Sequence, residues 1–326
     1  MESTTTVSES KLTHFIKTYA PLLVFLAAML WATDAPFRVH LTKDLSSNFI
    51  VMIEHFVNLI FVIPLLFMNW KELKLLKGRE WLAVVAIGVG GSALASIAFT
   101  QSFHYVNPSV AIVLQKLQPF IAIGLAATLL KEKMPKRFWL WALIAILGAY
   151  VISFPHFTPQ MYQGETWNPN ILGVLCALAA ALLWGASTVF GKYVLNKVSF
   201  KAMTGLRFAT GFLFLFVLNL STGSFSQIKI ATSKDWLFLV IVSLVSGALS
   251  LLVYYRGLQF TKASIATLAE LGFVFASLVI NAIFLDAHLV WMQFVGIGIL
   301  LFAVLKLAAV NREVSLPETN QTATVS

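Results

Sequence analysis

Ten stretches of the chain are almost wholly apolar: 20–37, 49–69, 81–103, 108–130, 138–155, 169–191, 203–221, 236–258, 263–285 and 289–310. Each approaches or exceeds the roughly 20 residues that an α-helix needs to cross a bilayer. The polar residues fall mostly in the short segments between them, which leave no room for a folded extramembrane domain. Because the apolar runs are unbroken and do not alternate, a membrane barrel of strands is excluded. The pattern predicts an all-α integral membrane protein with ten transmembrane helices.

The pattern also repeats. Ala27-Ala28-Met29-Leu30-Trp31 returns as Ala180-Ala181-Leu182-Leu183-Trp184, and Trp81-Leu82 returns as Trp236-Leu237. Through the second span the copies align at an offset of 153, pairing Trp31 with Trp184 and Glu54 with Arg207; from the third span the offset is 155, pairing Tyr105 with Phe260 and Phe120 with Phe275. Each copy holds five spans, an odd number, so the second must enter the membrane upside down. Two inverted five-helix repeats of this kind suit a transporter, since near-equivalent halves give near-equivalent states open to opposite sides. The expected organisation is an N-terminal tail over 1–19, repeats over 20–155 and 169–310, an external linker over 156–168 and a C-terminal tail over 311–326.

Composition agrees with lipid as the main solvent: 59% of residues are hydrophobic and 11% charged, with a mean hydropathy of +0.83. The excess of 23 Lys+Arg over 14 Asp+Glu is a topology signal and not a nucleic-acid one. With a cytoplasmic N-terminus, 17 basic residues fall inside and only Arg38, Lys43, Lys229 and Lys234 outside. The positive-inside rule therefore places both termini in the cytoplasm, and the expected location is a bacterial inner membrane. A cleaved signal peptide ending near Ala32 or Ala35 is the competing reading of the first run, but cleavage would delete the partner of the span around Trp184. The single Cys176 permits no internal disulfide.

Several motifs resemble the EamA-type repeat of the drug/metabolite transporter superfamily. They are Ala181-Leu182-Leu183-Trp184-Gly185-Ala186 with Phe190-Gly191-Lys192, Leu206-Arg207-Phe208-Ala209, Leu117-Gln118-Pro119-Phe120 and Leu129-Leu130-Lys131-Glu132-Lys133-Met134-Pro135. The resemblance covers about residues 20 to 310 and implies ten helices, cytoplasmic ends and a central cavity that opens alternately. It names no solute. The first half departs from it, with Trp31-Ala32 in place of Trp-Gly and Glu54-His55 where an Arg is expected.

Ionisable groups inside spans are costly, about 2.5–3.5 kcal/mol at a helix centre on insertion scales, so each needs a partner, a wet cavity or a role. Lys116 and Glu270 are the deepest, one position out of register between spans four and nine, and a direct pair between them across the interface of the halves is expected. Such a pair would either meet substrate or a proton, or simply fix helix packing. Asp34 precedes Pro36 at the outer end of span one and is either an interfacial acid near Arg38 or a proton acceptor at an outer gate. Glu54 and His55 lie just below the outer boundary, where pairing with Arg38 is one option. Arg207 is expected to serve the fold or the cytoplasmic headgroups.

Further candidates for a solute site are Gln101, beside the strip Ser96, Thr100 and His104, and Gln115 with Gln118 on one face of span four. Trp31, Trp184, Tyr254 and Tyr255 are the aromatic candidates. Gly88-Val89-Gly90-Gly91 lies inside a span and is no nucleotide loop. Six scattered histidines and one cysteine make no metal set, and no nucleophile has a credible base, so neither cofactor nor catalytic residue is expected. The chain reads as a secondary transporter of a small organic metabolite, an exporter working by alternating access, with protons as one means of coupling and lipids as its surroundings. The rivals are an integral-membrane enzyme acting on a lipid or isoprenoid, which would cluster its polar groups at one interface, and a passive channel, which would need a uniformly polar strip.

Overall fold

The structure is a computed structural model that describes residues 16–106, 111, 114–153, 171–284 and 290–315. The expected linker over 156–168 lies outside the described residues. The described chain is helical. In order come α1 (Ala20–Leu41), α2 (Ser47–Met68), α3 (Gly78–Ser102), α4 (Gln118–Leu129), α5 (Lys136–Ser153), α6 (Ile171–Leu195), α7 (Phe200–Thr222), α8 (Ser233–Gln259), α9 (Ala263–Phe284, in two pieces) and α10 (Trp291–Ser315). Seven of these, α1–α3, α6–α8 and α10, are long and apolar enough among the described residues to cross a membrane.

Local chemistry sets the helix starts. The Ser46 hydroxyl accepts from Phe49 N at the head of α2, and the Ser199 hydroxyl accepts from Ala202 N at the head of α7. These two serines occupy equivalent repeat positions, and each satisfies one orphan N–H of a first turn. In the same way Glu80 accepts from Lys77 N in α3, and Asp235 accepts from Thr232 N in α8.

Equivalent helices of the two halves run antiparallel against one another. Along α2 and α7, Asn48 meets Asn219, His55 meets Gly211 and Leu66 meets Gly205. Along α5 and α10, Gly148 lies against Leu300, Ile152 against Gly296, and Arg137 pairs with Glu313. The crossed pairs follow suit: α1 packs along α8 and α3 along α6. This is the arrangement of two halves related by a two-fold axis. Small residues at the crossings let backbones approach where lipid supplies no hydrophobic drive.

Matched bonds also fasten the two ends of the bundle. At one end Ser199 N donates to Glu72 Oε2 at 2.6 Å, and the Tyr193 hydroxyl donates to Glu80 at 3.1 Å. At the other, Ser46 N donates to Gln227 Oε1 at 2.7 Å, and His40 Nε2 lies 3.2 Å from Asp235. The same loops and helix heads are used twice, with different side chains.

Irregular backbone recurs symmetrically as well. The hydrogen-bond ladder widens to π-type over Ala86–Leu94 in α3 and over Ser243–Leu249 in α8, which are equivalent stretches. The fourth helix of each half breaks at one place: the chain turns at Lys116-Leu117 before α4 and at Glu270-Leu271 inside α9. Pro119, in the first turn of α4, explains the first break by withholding an N–H. At the second, Gly272 lets α9 close on the Phe25 carbonyl of α1.

The end of α1 differs from expectation. Span one was expected to end at 37, with Arg38 in an external loop, but α1 continues to Leu41 through a 3₁₀ turn at Ala32–Asp34, and Arg38 is only 6% exposed. Hydropathy alone ends a span at an arginine; the buried acids described next are what let this one continue.

Candidate functional site

A cavity of about 200 Å³ lies between the halves, reached by α1–α4 from one and α6–α9 from the other. The two breaks open onto it. Interrupted helices at membrane depth are tolerated where they line a cavity, since their freed backbone groups then avoid lipid.

At one side of the cavity Arg38 binds two acids. Its Nε and Nη2 donate to Asp34 Oδ2 at 3.1 and 3.0 Å, and Nη2 lies 3.0 Å from Glu54 Oε1. Nη1 donates to Thr100 Oγ1 at 2.9 Å. The i, i+4 spacing of Asp34 and Arg38 sets the first contact within one helix; the others draw in α2 and α3. One cation against two carboxylates leaves this cluster with a formal charge of −1.

Arg207 forms the second cluster, and of the two roles expected of it, serving the fold or the headgroups, its position fits only the first: it is 8% exposed and lines the cavity. Its Nε donates to Ser92 Oγ at 3.1 Å, Nη1 to Ser187 Oγ at 3.2 Å and to the Tyr255 hydroxyl at 3.1 Å, and Nη2 to the Gly91 carbonyl at 2.8 Å. Gly91 is needed there because a Cβ would lie 2.3 Å from Ser187 Cβ. Ser92 in turn reaches His55 Nε2 at 2.8 Å, while His55 Nδ1 lies 2.8 Å from the Val51 carbonyl. A carbonyl only accepts, so neutral His55 carries its proton on Nδ1 and accepts a hydrogen bond from the Ser92 hydroxyl on Nε2.

Glu270 forms the third. Gln118 Nε2 donates to its Oε2 at 2.5 Å, and the hydroxyls of Tyr254 and Thr188 donate to Oε1 at 2.8 and 3.1 Å. The expected direct pair with Lys116 is therefore corrected: both residues line the cavity, but the partners of Glu270 among the described residues are three neutral donors from α4, α6 and α8.

The aromatic candidates split. Trp31 packs on Tyr254 with ring centroids 5.1 Å apart, and Trp184 packs on Phe99 at 5.3 Å. These pairs are equivalent by the repeat, and all four rings line the cavity. Tyr255 does not; it is fully buried behind Arg207. Gln101 does not line it either: it accepts from Ser47 and donates to Tyr105. Ser96 lines it and His104 is exposed, so the expected polar strip divides. The remaining candidates Asp34, Gln115, Lys116, Gln118 and Glu270 all face the cavity.

Sequence reasoning gave no role to two further cavity-lining residues, Asn58 and Thr267. The signal was present: Asn58 follows Glu54 by four and His55 by three residues, and Thr267 precedes Glu270 by three, so each shares its neighbours' helix face.

A helical chain of two antiparallel-packed halves around a polar cavity defines a multi-pass integral membrane transporter. The model of the EamA-like transporter family matches residues 18–154 and again 171–308. The chain belongs to that family. Over 295 residues it is 31% identical to the riboflavin transporter ImpX of Fusobacterium nucleatum, spanning 89% of this chain and 97% of that protein. It is 21% identical to the uncharacterized transporter YetK of Bacillus subtilis, over 73% of this chain and 71% of that one. An uncharacterized transporter of Archaeoglobus fulgidus is 24% identical over 71% and 79% of the two chains. A solved crystal structure, 16% identical, matches in fold with a TM-score of 0.67 over 93% of this chain and 98% of its own. The protein is thus a transmembrane transporter of a small organic metabolite, not the membrane enzyme weighed from the sequence.

Proposed function

We propose that the protein is a secondary carrier for a neutral, planar heteroaromatic solute with polar edges, of the flavin type, and that the cavity between its halves is the transport site. The observation that carries this reading is the pair of equivalent aromatic contacts, Trp31–Tyr254 and Trp184–Phe99, lining a cavity that also holds amide and hydroxyl groups. Flat rings stack on such walls, and the name of the Fusobacterium relative points to the same solute class.

In this reading α4, α5 and α9 also cross the membrane, giving ten spans in two inverted repeats, bounded as the sequence suggested, with both ends cytoplasmic. Removing Arg38 from the external basic residues strengthens that orientation. Reporter fusions after Val198 should read cytoplasmic and at Gln163 external. A cytoplasmic Gln163 would end the inverted-repeat argument.

The carrier is reversible, and its net direction, outward or inward, follows the gradients imposed on it. Glu270 is the first choice for proton coupling, being a buried carboxyl within a helix break, and Asp34 the second. Purified protein in liposomes should take up labelled riboflavin in exchange for internal riboflavin. Absence of flux would refute the flavin assignment. If Glu270→Gln and Asp34→Asn both respond to a pH gradient as the parent does, neither acid is the coupling site.

A further inference from the structure

Two cavity-lining residues on opposite halves each carry a buried polar atom with no partner among the described residues. Among the described residues, Asn58 of α2 is 2% exposed with no hydrogen-bond partner for its Oδ1, and Thr267 of α9 is 1% exposed with none for its Oγ1. Buried polar atoms in native proteins are almost always paired, so two that line one cavity mark where a ligand completes the set.

The local geometry sharpens this. A threonine inside a helix ordinarily turns its hydroxyl back onto the carbonyl four residues earlier. Thr204, Thr210 and Thr261 all do so here. Thr267 does not, although Ala263 offers the carbonyl, and the residue lines the cavity. Asn58 rests its amide on Gly247, in the π-type stretch of α8. A Cβ there would lie 2.4 Å from Nδ2, so the glycine is what gives the amide its place. Gly211 stands at the position equivalent to Asn58, and the residue equivalent to Thr267 is Ile112. Neither polar group has a repeat counterpart, and the fold common to both halves does not require them.

We infer that Asn58 and Thr267 are specificity-determining contacts of the transported solute, Asn58 reading a ring lactam or imide edge and Thr267 a hydroxylated side chain. This rests on the carrier reading above. A primary amide offers one acceptor and two donors in a plane, the complement of a ring N–H beside a ring carbonyl. A single hydroxyl matches a polyol hydroxyl, which both donates and accepts. A site built to bond such groups rejects analogues lacking them, because its own polar atoms are then stranded.

The test compares three solutes in liposomes: riboflavin, its N3-methylated analogue, which lacks the imide N–H, and lumiflavin, which lacks the hydroxylated chain. The parent should prefer riboflavin over each analogue by about tenfold or more in kcat/KM. Asn58→Leu should bring the riboflavin to N3-methyl ratio close to one and leave the lumiflavin ratio standing. Thr267→Val should do the reverse. Undiminished flux of the analogues shows that the variants fold; if Asn58→Leu is inactive toward all three, Asn58→Ser reads the same ratio. Riboflavin flux with unchanged ratios in the variants overturns this inference alone, whereas a parent that moves no riboflavin overturns the flavin reading and this inference with it.

Discussion

The Arg38 and Arg207 clusters are built on the same four repeat positions and reach opposite electrostatic answers. Asp34, Arg38, Glu54 and Thr100 of the first half correspond to Ser187, Gly191, Arg207 and Tyr255 of the second. In the first the cation stands on the first helix of the repeat, between two acids. In the second it has moved to the second helix and is held by hydroxyls and a carbonyl. Gly191 leaves space that the Tyr255 ring occupies, 3.1 Å from where a Cβ would be. The first cluster is drawn wholly from its own half, while Arg207 also binds Ser92 and Gly91 across the interface. One scaffold has thus yielded an ionic lock within one half and a neutral cradle between the two.

The difference is testable through what each arginine leaves behind. Arg38→Met strands two buried carboxylates and should be the most damaging change, lowering stability by about 3–5 kcal/mol; Arg38→Met with Glu54→Met should recover part of it. Arg207→Met strands no charge and should cost less, roughly 1–3 kcal/mol for the unmade hydrogen bonds. Melting in detergent ranks them, and a less stable Arg207 variant would invert the comparison.

Where the halves agree, substitutions should agree too. Trp31→Leu and Trp184→Leu each remove one of two equivalent ring contacts, worth about 0.5–1.5 kcal/mol, and should weaken solute affinity by similar factors. A large effect from one alone would mean that the pairs are not equivalent in use. The smallest change is Tyr254→Phe, which makes this position like Phe99. Glu270 keeps Gln118 and Thr188, so a loss of about 1 kcal/mol in stability is expected, with the stacking on Trp31 retained.

Much of the architecture was legible in the sequence because membrane spans and internal repeats are one-dimensional signals. Apolar length located the ends of most described helices to within about five residues, span four excepted, whose described helix begins at Gln118 and not near 108, and the Trp31/Trp184 match gave the register of the repeat. The site was legible where a polar residue stood out in an apolar run, as Lys116, Glu270 and Gln118 did, and in the aromatic candidates Trp31, Trp184 and Tyr254. Of its pairings, Arg38 was offered as a partner of Asp34 and of Glu54 and binds both; that of Glu270 was not legible. Charge complementarity suggested Lys116 for Glu270, but Thr188 and Tyr254 supply its bonds, and neither residue type announces itself by charge. Arg38 was misplaced because burial of a cation depends on acids 4 and 16 residues away, which a hydropathy window does not weigh. The paired helix breaks and π-type stretches involve backbone geometry, and their traces in the sequence, Pro119, Gly272 and the glycines of Ala86–Leu94, did not announce it.

The matched breaks of α4 and α9 carry a consequence for descent. When an ancestral half was duplicated, its weak point was copied with it, so the paired protein began with two identical notches facing one another. The two now differ in their side chains: Gln115-Lys116 in one, and Glu270-Leu271 in the other. A site assembled from two such notches can change its ligand by single replacements on either side, without disturbing the helix contacts that hold the halves together. A family that shares one scaffold can thereby carry many different solutes.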